Sequence, residues 1–317
     1  RLQAAIHGNP PPRLLTGAEQ DSVVREMLRG DLEDGAPEWP DRLRPALGLA
    51  GFATAVRDLM LRSAERGIGP EDLVKLGRKH SRPEWIAVGK FGVRYEQAML
   101  LRGSVGVEAA GASAPGLDAA ELIASALMAF ATDPELLRDE RARIRHLVVD
   151  DAQHLDPQAA QLVRLIGSNT ESTVIAGDPD QSVFTFRGAD PSFVADVAEP
   201  GSTRRVVLEH NFRSVPEVAR LSGIVAGRLP GIGRHRGAVA VAEPRYGVAR
   251  TSVRIMSSAA KEAAYIADAM RRAHLSYGMP WTDMAIVVRS VPRAIAPLRR
   301  ALSAAGVNLE MITTSEI

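Results

Sequence analysis

The chain contains no cysteine in 317 residues, which removes disulfides, thiolate-bound zinc, iron–sulfur clusters and thiol catalysis in one step. That absence also fits a reducing compartment, so a cytoplasmic location is expected. No apolar run approaches the roughly 18 residues that a membrane-spanning helix needs. Charge of one sign is missing too: 39 Lys+Arg against 38 Asp+Glu leave a net charge of +1. Any contact with a nucleic acid must therefore come from a local patch. Lysine is scarce, with only Lys75, Lys79, Lys90 and Lys261 among the basic residues, a skew that points to coding bias before function. The seven histidines form no ligand-spaced pair, so no metal-dependent nuclease centre is visible. The start, Arg1-Leu2-Gln3, is neither an initiator Met nor a signal peptide, and reads as a piece of a longer chain.

What is present is ordinary for a globular protein: 45% hydrophobic and 24% charged residues. Dividing the length by about 150 gives a prior of two domains. The first hundred residues read as helical. Thr16 and Glu19 have capping-box spacing ahead of Val23, Val24, Met27 and Leu28. A second apolar-periodic segment runs from Leu47 to Leu61, Gly67, Gly69 and Pro70 break it, and Asp72–Leu76 opens another. A further helix spans the region from Trp85 to Leu101, with Trp85, Phe91 and Tyr95 as core aromatics. Gly103 to Gly116 is rich in Gly, Ala and Ser and reads as a linker.

Beyond it, a helix from Asp118 to Phe130 and a short one after Pro134 precede β-branched runs that alternate with helices. The expected strands are Ile144–Val149, Thr173–Ala176, Arg205–Leu208, Ser252–Ile255 and Ala285–Val288. Such runs imply a parallel sheet covered on both faces. The intervening helices start at Asp156-Pro157, Asp190-Pro191 and Val215-Pro216, with Pro near the first helical position.

Three clusters lie at expected strand ends, where doubly wound α/β sheets bind ligands. Asp150 and Asp151 follow Leu147-Val148-Val149 and suit a metal–nucleotide site, although a strand ending in Asp-Asp serves equally as a helix cap. Gly177-Asp178 closes the next strand. Phe184, Phe186 and Arg187 follow it, a pattern that either stacks on single-stranded bases or fills a loop core. Glu209-His210-Asn211-Phe212-Arg213-Ser214 leads into a helix, and an Arg at such a junction can reach a phosphate.

In this order and spacing, the three clusters resemble motifs II, III and IV of the UvrD/Rep/RecB-like branch of superfamily 1 DNA helicases. The phrasing of Pro12–Gln20 and Asp150–Gln158 is most similar to the AdnA-type subunit of bacterial two-motor helicase–nucleases. The resemblance implies an α/β fold of RecA-like parallel-sheet motor domains with an all-α insertion. Residues 1–15 would be the tail of domain 1A and 16–116 the helical 1B insertion. Residues 117–207 would complete 1A with motifs II and III, and 208–317 would begin domain 2A with motif IV.

The resemblance also implies roles. Asp150 would hold Mg²⁺. Asp151 would stand where the family has a water-activating Glu, a departure of one methylene in a geometry sensitive to about 1 Å. Gln153 would link the nucleotide to motif III, and Gln181 would sense the γ-phosphate of ATP. Phe184, Phe186 and Arg187 would line the DNA path. Phe212, where the family has Tyr, would stack on adenine, and Arg213 would reach the γ-phosphate.

The implied activity is an ATP-driven helicase or translocase on single-stranded DNA, moving 3′ to 5′ in DNA repair and recombination at broken ends. A second helicase–nuclease subunit is the implied partner. No Gly-x-x-x-x-Gly-Lys-Ser/Thr phosphate loop occurs, and Gly89-Lys90-Phe91 is not one. The chain alone is therefore expected to hydrolyse no ATP. The Asp151 departure keeps a second reading open, a motor-fold subunit with weak or lost ATPase that holds DNA for a partner.

Overall fold

The computed structural model describes residues 13–105, 116–197, 205–230, 234–243 and 250–307. The chain divides into two compact units, Arg1–Arg205 and Val206–Ile317.

In the first unit, β1 (Arg13–Leu14) pairs in parallel with β2 (Gly116–Leu117), Arg13 opposite Gly116 and Leu14 opposite Leu117. Between them run four helices: α1 (Gly17–Glu33), α2 (Ala50–Ala64), α3 (Pro70–Lys79) and α4 (Pro83–Val105). The helical segment thus leaves and re-enters at neighbouring points. Local chemistry sets each start. Thr16 and Glu19 form the expected capping box on α1, and Pro70 and Pro83 stand first in α3 and α4, where a missing N–H costs nothing. Val24, Leu28, Trp39, Val56, Leu73 and Phe91 fill the common core, with Tyr95 also buried and Trp85 packed at its edge. The Trp39 indole donates to Asp31 at 2.7 Å, and Arg94 binds both Asp31 oxygens at 2.5 and 2.9 Å. Both oxygens of the buried Asp31 carboxylate are thus paired. Gly89-Lys90-Phe91 lies inside α4, with Phe91 fully buried.

The linker begins later than expected. Helix α4 runs on through Val105, Gly116 already belongs to β2, and residues 106–115 lie outside the described residues. Ala-rich α5 (Ala119–Thr132) starts with a second capping box, Asp118 with Glu121, and Asp118 also accepts from Gln20 of α1 at 3.1 Å. Short α6 (Pro134–Arg143) follows. Strand β3 (His146–Val149) then pairs in parallel with β4 (Ser172–Ile175), joined through α7 (Pro157–Gly167). After β4 come two 3₁₀ turns and α8 (Ser192–Val197).

The sheet differs from expectation in coverage. Val149 and Ile175 face a small core of Ala152, Ala160 and Phe193, whereas Val148 is 71% exposed on the other face, as is Val174 to a lesser degree. An all-apolar run suits burial on both faces, but burial needs a second layer, and among the described residues only one face has it.

In the second unit β5 (His210–Asn211) pairs in parallel with β6 (Val239–Ala240) around α9 (Pro216–Ala226). Helices α10 (Ala259–Tyr277) and α11 (Val291–Ala304) pack through Ala263, Ala267, Leu298 and Leu302. Three expected strands do not form ladders. Arg205–Leu208, Ser252–Ile255 and Ala285–Val288 have no paired neighbour among the described residues. The last keeps a strand's alternation: Ile286 and Val288 pack on the α10–α11 core while Val287 is 95% exposed. β-Branched sequence records fitness for a half-buried pleated surface, and a ladder also needs a partner. Residues 308–317, placed in the same expected domain, lie outside the described residues.

Candidate nucleotide and nucleic-acid site

The site begins where β3 ends. Asp150 and Asp151 are both exposed, and Asp151 adopts a left-handed backbone (φ 51°, ψ 36°) before a 3₁₀ turn over Ala152–His154. Asp tolerates this region better than most residues with a Cβ, because its short polar side chain bonds locally. Here the Asp151 carboxylate accepts from the Gln153 side-chain amide at 3.1 Å, and the Asp150 carboxylate accepts from the Asp151 backbone N–H at 2.9 Å.

Gln153 is 1% exposed, and every polar group on its side chain is used. Its amide oxygen accepts from the Asp178 N–H at 3.0 Å, and its backbone carbonyl accepts from the Ser182 hydroxyl at 3.2 Å. Asp178 in turn accepts from Gln181 Nε2 at 2.8 Å. Asp151, Gln153, Asp178 and Gln181 therefore form one hydrogen-bonded chain from the end of β3 to the loop after β4. Gly177 makes room for it: a Cβ there would stand 2.8 Å from Gln153 Oε1 and 2.9 Å from Val194 Cγ2.

That loop carries the aromatic pair. The rings of Phe184 and Phe186 are 6.3 Å apart, and the Arg187 guanidinium lies 5.3 Å from the first centroid and 5.6 Å from the second. Phe184 is half-buried, while Phe186 is 72% exposed. An exposed aromatic flanked by a guanidinium presents a π-face and a positive charge to the same region of solvent. Gly188 then turns the chain at φ 92°. It faces a partly buried ion pair at the C-terminal end of α2, Arg62 with Glu65 at 2.8 Å, and a Cβ at Gly188 would collide with the Glu65 carboxylate. Burial pushes Glu65 up to about 7, against the pull of Arg62, and lowers the Arg62 guanidinium. Both shifts say that desolvation outweighs the pair's attraction.

Two contributors were missed by sequence reasoning. His154 packs edge-on against Phe184 with ring centroids 4.7 Å apart. Glu65, more than a hundred residues upstream, supports the Gly188 turn. No spacing rule connects either to the aromatic loop, because only the fold makes them neighbours.

Phe212 and Arg213 belong to the second unit and form their own local arrangement. Asn211 Oδ1 accepts from the N–H groups of Arg213 and Ser214 at 3.0 and 2.9 Å, an Asx turn that precedes α9. Phe212 is 79% exposed beside His210, their centroids 6.1 Å apart, and the Arg213 side chain is exposed.

Among the described residues no group of three His, Asp or Glu side chains is gathered to hold a metal. A site offering one or two carboxylates at a strand end suits Mg²⁺, which takes most of its shell from phosphates and water. Asp150 is the residue so placed. No described helix is long and apolar enough to cross a membrane.

Comparison with known proteins places these features. A family model described as the UvrD/REP helicase N-terminal domain matches residues 8–200. The ATP-dependent DNA helicase UvrD2 of Mycobacterium tuberculosis (strain ATCC 25618 / H37Rv) is 28% identical over 229 residues, 70% of this chain and 31% of that protein. The ATP-dependent DNA helicase Rep of Escherichia coli (strain K12) is 30% identical over 116 residues, 36% of this chain and 17% of that protein. The putative ATP-dependent DNA helicase YjcD of Bacillus subtilis (strain 168) is 30% identical over 98 residues, 30% of this chain and 13% of that protein. The matched stretch thus spans less than a third of each relative. Both the carboxylate turn and the aromatic loop fall inside the family match, which covers well over half of the sequence, and the chain belongs to the UvrD/REP helicase family.

Proposed function

We propose that the chain is part of an ATP-dependent DNA helicase or translocase that moves along single-stranded DNA. The observation that carries this reading is the hydrogen-bonded chain from the Asp151 carboxylate through the Gln153 side chain and the Asp178 backbone N–H and carboxylate to Gln181, on the loop that presents Phe184, Phe186 and Arg187. It joins carboxylates suited to a nucleotide with a surface suited to stacked bases.

In this reading residues 117–207 are RecA-like domain 1A, and residues 208–317 begin domain 2A. The helical segment bracketed by β1 and β2 is the 1B insertion, as expected of a module entering and leaving at one place. Asp150 would hold Mg²⁺, which when bound would supply positive charge to neutralise nucleotide phosphates. Asp151 and Gln181 orient water and the terminal phosphate, Phe186 and Arg187 engage the strand, and Phe212 and Arg213 serve adenine and phosphate. The sequence resemblance supports 3′-to-5′ movement in repair and recombination at broken ends, beside a second helicase–nuclease subunit. The sequence holds no phosphate loop, and in this reading the 317-residue chain alone turns over no ATP.

One observation favours a second reading, a DNA-holding subunit with weak ATPase. The Asp151 carboxylate is a methylene shorter than the family's Glu and is already engaged by Gln153. Two measurements test these readings. Anisotropy of a fluorescent oligothymidylate reports binding by the chain, and Phe186→Ala should weaken it by about 1–3 kcal/mol, one stacked base. Single-stranded-DNA-stimulated ATP hydrolysis by a longer chain bearing the phosphate loop, wild type against Asp150→Ala, reports the motor. Stimulation lost in Asp150→Ala supports a motor. Background turnover in both with DNA still bound leaves the holding subunit, and unchanged oligonucleotide binding in Phe186→Ala sinks the platform.

A further inference from the structure

His154 lies outside every role assigned so far, yet it touches both halves of the site. Its backbone N–H donates to the Asp151 carbonyl at 2.9 Å, closing the 3₁₀ turn that begins in the left-handed Asp151. Its ring meets Phe184 edge-on at 4.7 Å and an interplanar angle of 67°. Its Nε2 lies 3.5 Å from the side-chain nitrogen of Gln153, the nitrogen that also donates to Asp151 Oδ1. Its Nδ1 is buried without a partner.

A Gln amide has two N–H bonds and can serve two acceptors at once. With the histidine neutral and its proton on Nδ1, Nε2 is the second acceptor for Gln153. Any movement of the Asp151 carboxylate re-aims the Gln153 amide, and the imidazole it faces bears directly on Phe184. Phe184 is in turn the less exposed ring of the platform, with Phe186 tilted against it at 55° and the Arg187 guanidinium 5.3 Å from its centroid. Rings in edge contact constrain one another's orientation.

We infer that His154 is a positioning residue that transmits the state of the Asp151–Gln153 pair to the Phe184–Phe186–Arg187 surface, and so sets affinity for single-stranded DNA. The inference rests on the proposed reading of that surface as a base-stacking platform. His154 itself touches neither base nor nucleotide.

The test is a double-mutant cycle read by anisotropy of a fluorescent oligothymidylate on the 317-residue chain. It combines His154→Ala or His154→Phe with Asp151→Gly, which removes the carboxylate while tolerating the left-handed backbone. His154→Ala should weaken binding roughly 3- to 10-fold. Asp151→Gly should change affinity by about 3-fold in the wild-type background and leave it unchanged beside His154→Ala, the non-additivity of coupled neighbours. His154→Phe keeps a ring against Phe184 but lacks Nε2. It should recover most of the affinity lost in His154→Ala while remaining insensitive to Asp151→Gly, a pattern that packing alone does not produce. It also keeps the test valid should His154→Ala fold poorly by far-UV circular dichroism. Additive effects of His154 and Asp151, or His154 variants that bind as wild type while Phe186→Ala does not, would overturn the inference and leave the platform standing. Unchanged binding in Phe186→Ala would remove the platform, and the inference with it.

Discussion

Space at single positions decides much of this site. At Gly177 a Cβ would meet Gln153 Oε1, Gln153 N and Val194 Cγ2 within 3.3 Å. Gly177→Ala is expected to cost about 1–3 kcal/mol, as overpacked sites do, read as a lower urea midpoint. Charge at single positions is as telling. Burial raises Glu65 and Glu121 from the ordinary 4.5 to about 7, with the neighbouring Asp118 adding to the rise at Glu121. The folded chain then binds more protons than the unfolded chain between those values, so stability falls as pH climbs from about 4.5 to 7. Denaturation midpoints measured from pH 5 to 7.5 should show this fall. In the Glu65→Gln, Glu121→Gln double variant the slope should flatten. An unchanged slope would mean that neither carboxyl is held protonated by its surroundings.

Among the elements, α5 and the β3–β4 pair make the sharpest contrasts. Asp118 caps α5 by accepting from the Glu121 N–H at 2.7 Å and also binds Gln20 of α1. Asp118→Ala should cost about 1 kcal/mol through the lost cap, measured by chemical denaturation. In β3, adjacent valines differ completely. Val149 packs on the Ala152–Phe193 core, and Val148 points to solvent. Val149→Ala should cost about 1–2 kcal/mol at about 0.8 kcal/mol per buried CH₂. Val148→Thr should stay within about 0.5 kcal/mol, as exposed substitutions do. Equal costs at the two positions would show that a second layer covers the strand pair.

For the whole molecule, near-neutral charge is the governing fact. With 39 basic and 38 acidic residues, the proposed DNA affinity would have to come from stacking and a few local cations, not from a field over the surface. The log–log dependence of oligothymidylate affinity on salt should therefore be shallow, with a slope of about −1.4 to −2.1 if two or three phosphates are contacted at about −0.7 each. Arg187→Ala should reduce it by about one contact, whereas Phe186→Ala should lower affinity and leave the slope alone. A steep slope would locate the binding energy in cations far from the aromatic loop.

Local chemistry was legible in the sequence: the capping boxes at Thr16 and Asp118, proline at helix starts, and the order of the Asp-Asp, Gly-Asp and Asn-Phe-Arg-Ser clusters that carry the family resemblance. These depend on interactions within a few residues, or on motifs whose spacing survives divergence. Coverage and neighbourhood were not legible. Whether Val148 is buried, whether Ala285–Val288 finds a strand to pair with, and whether Glu65 lies beneath Gly188 all depend on residues distant in the chain. The same holds for His154, whose adjacency to Gln153 is written in the sequence but whose contact with Phe184, thirty residues on, is not. Periodicity reports what a segment can bury, and only the tertiary structure decides what it meets, because burial is a property of two surfaces and the sequence of a segment describes one.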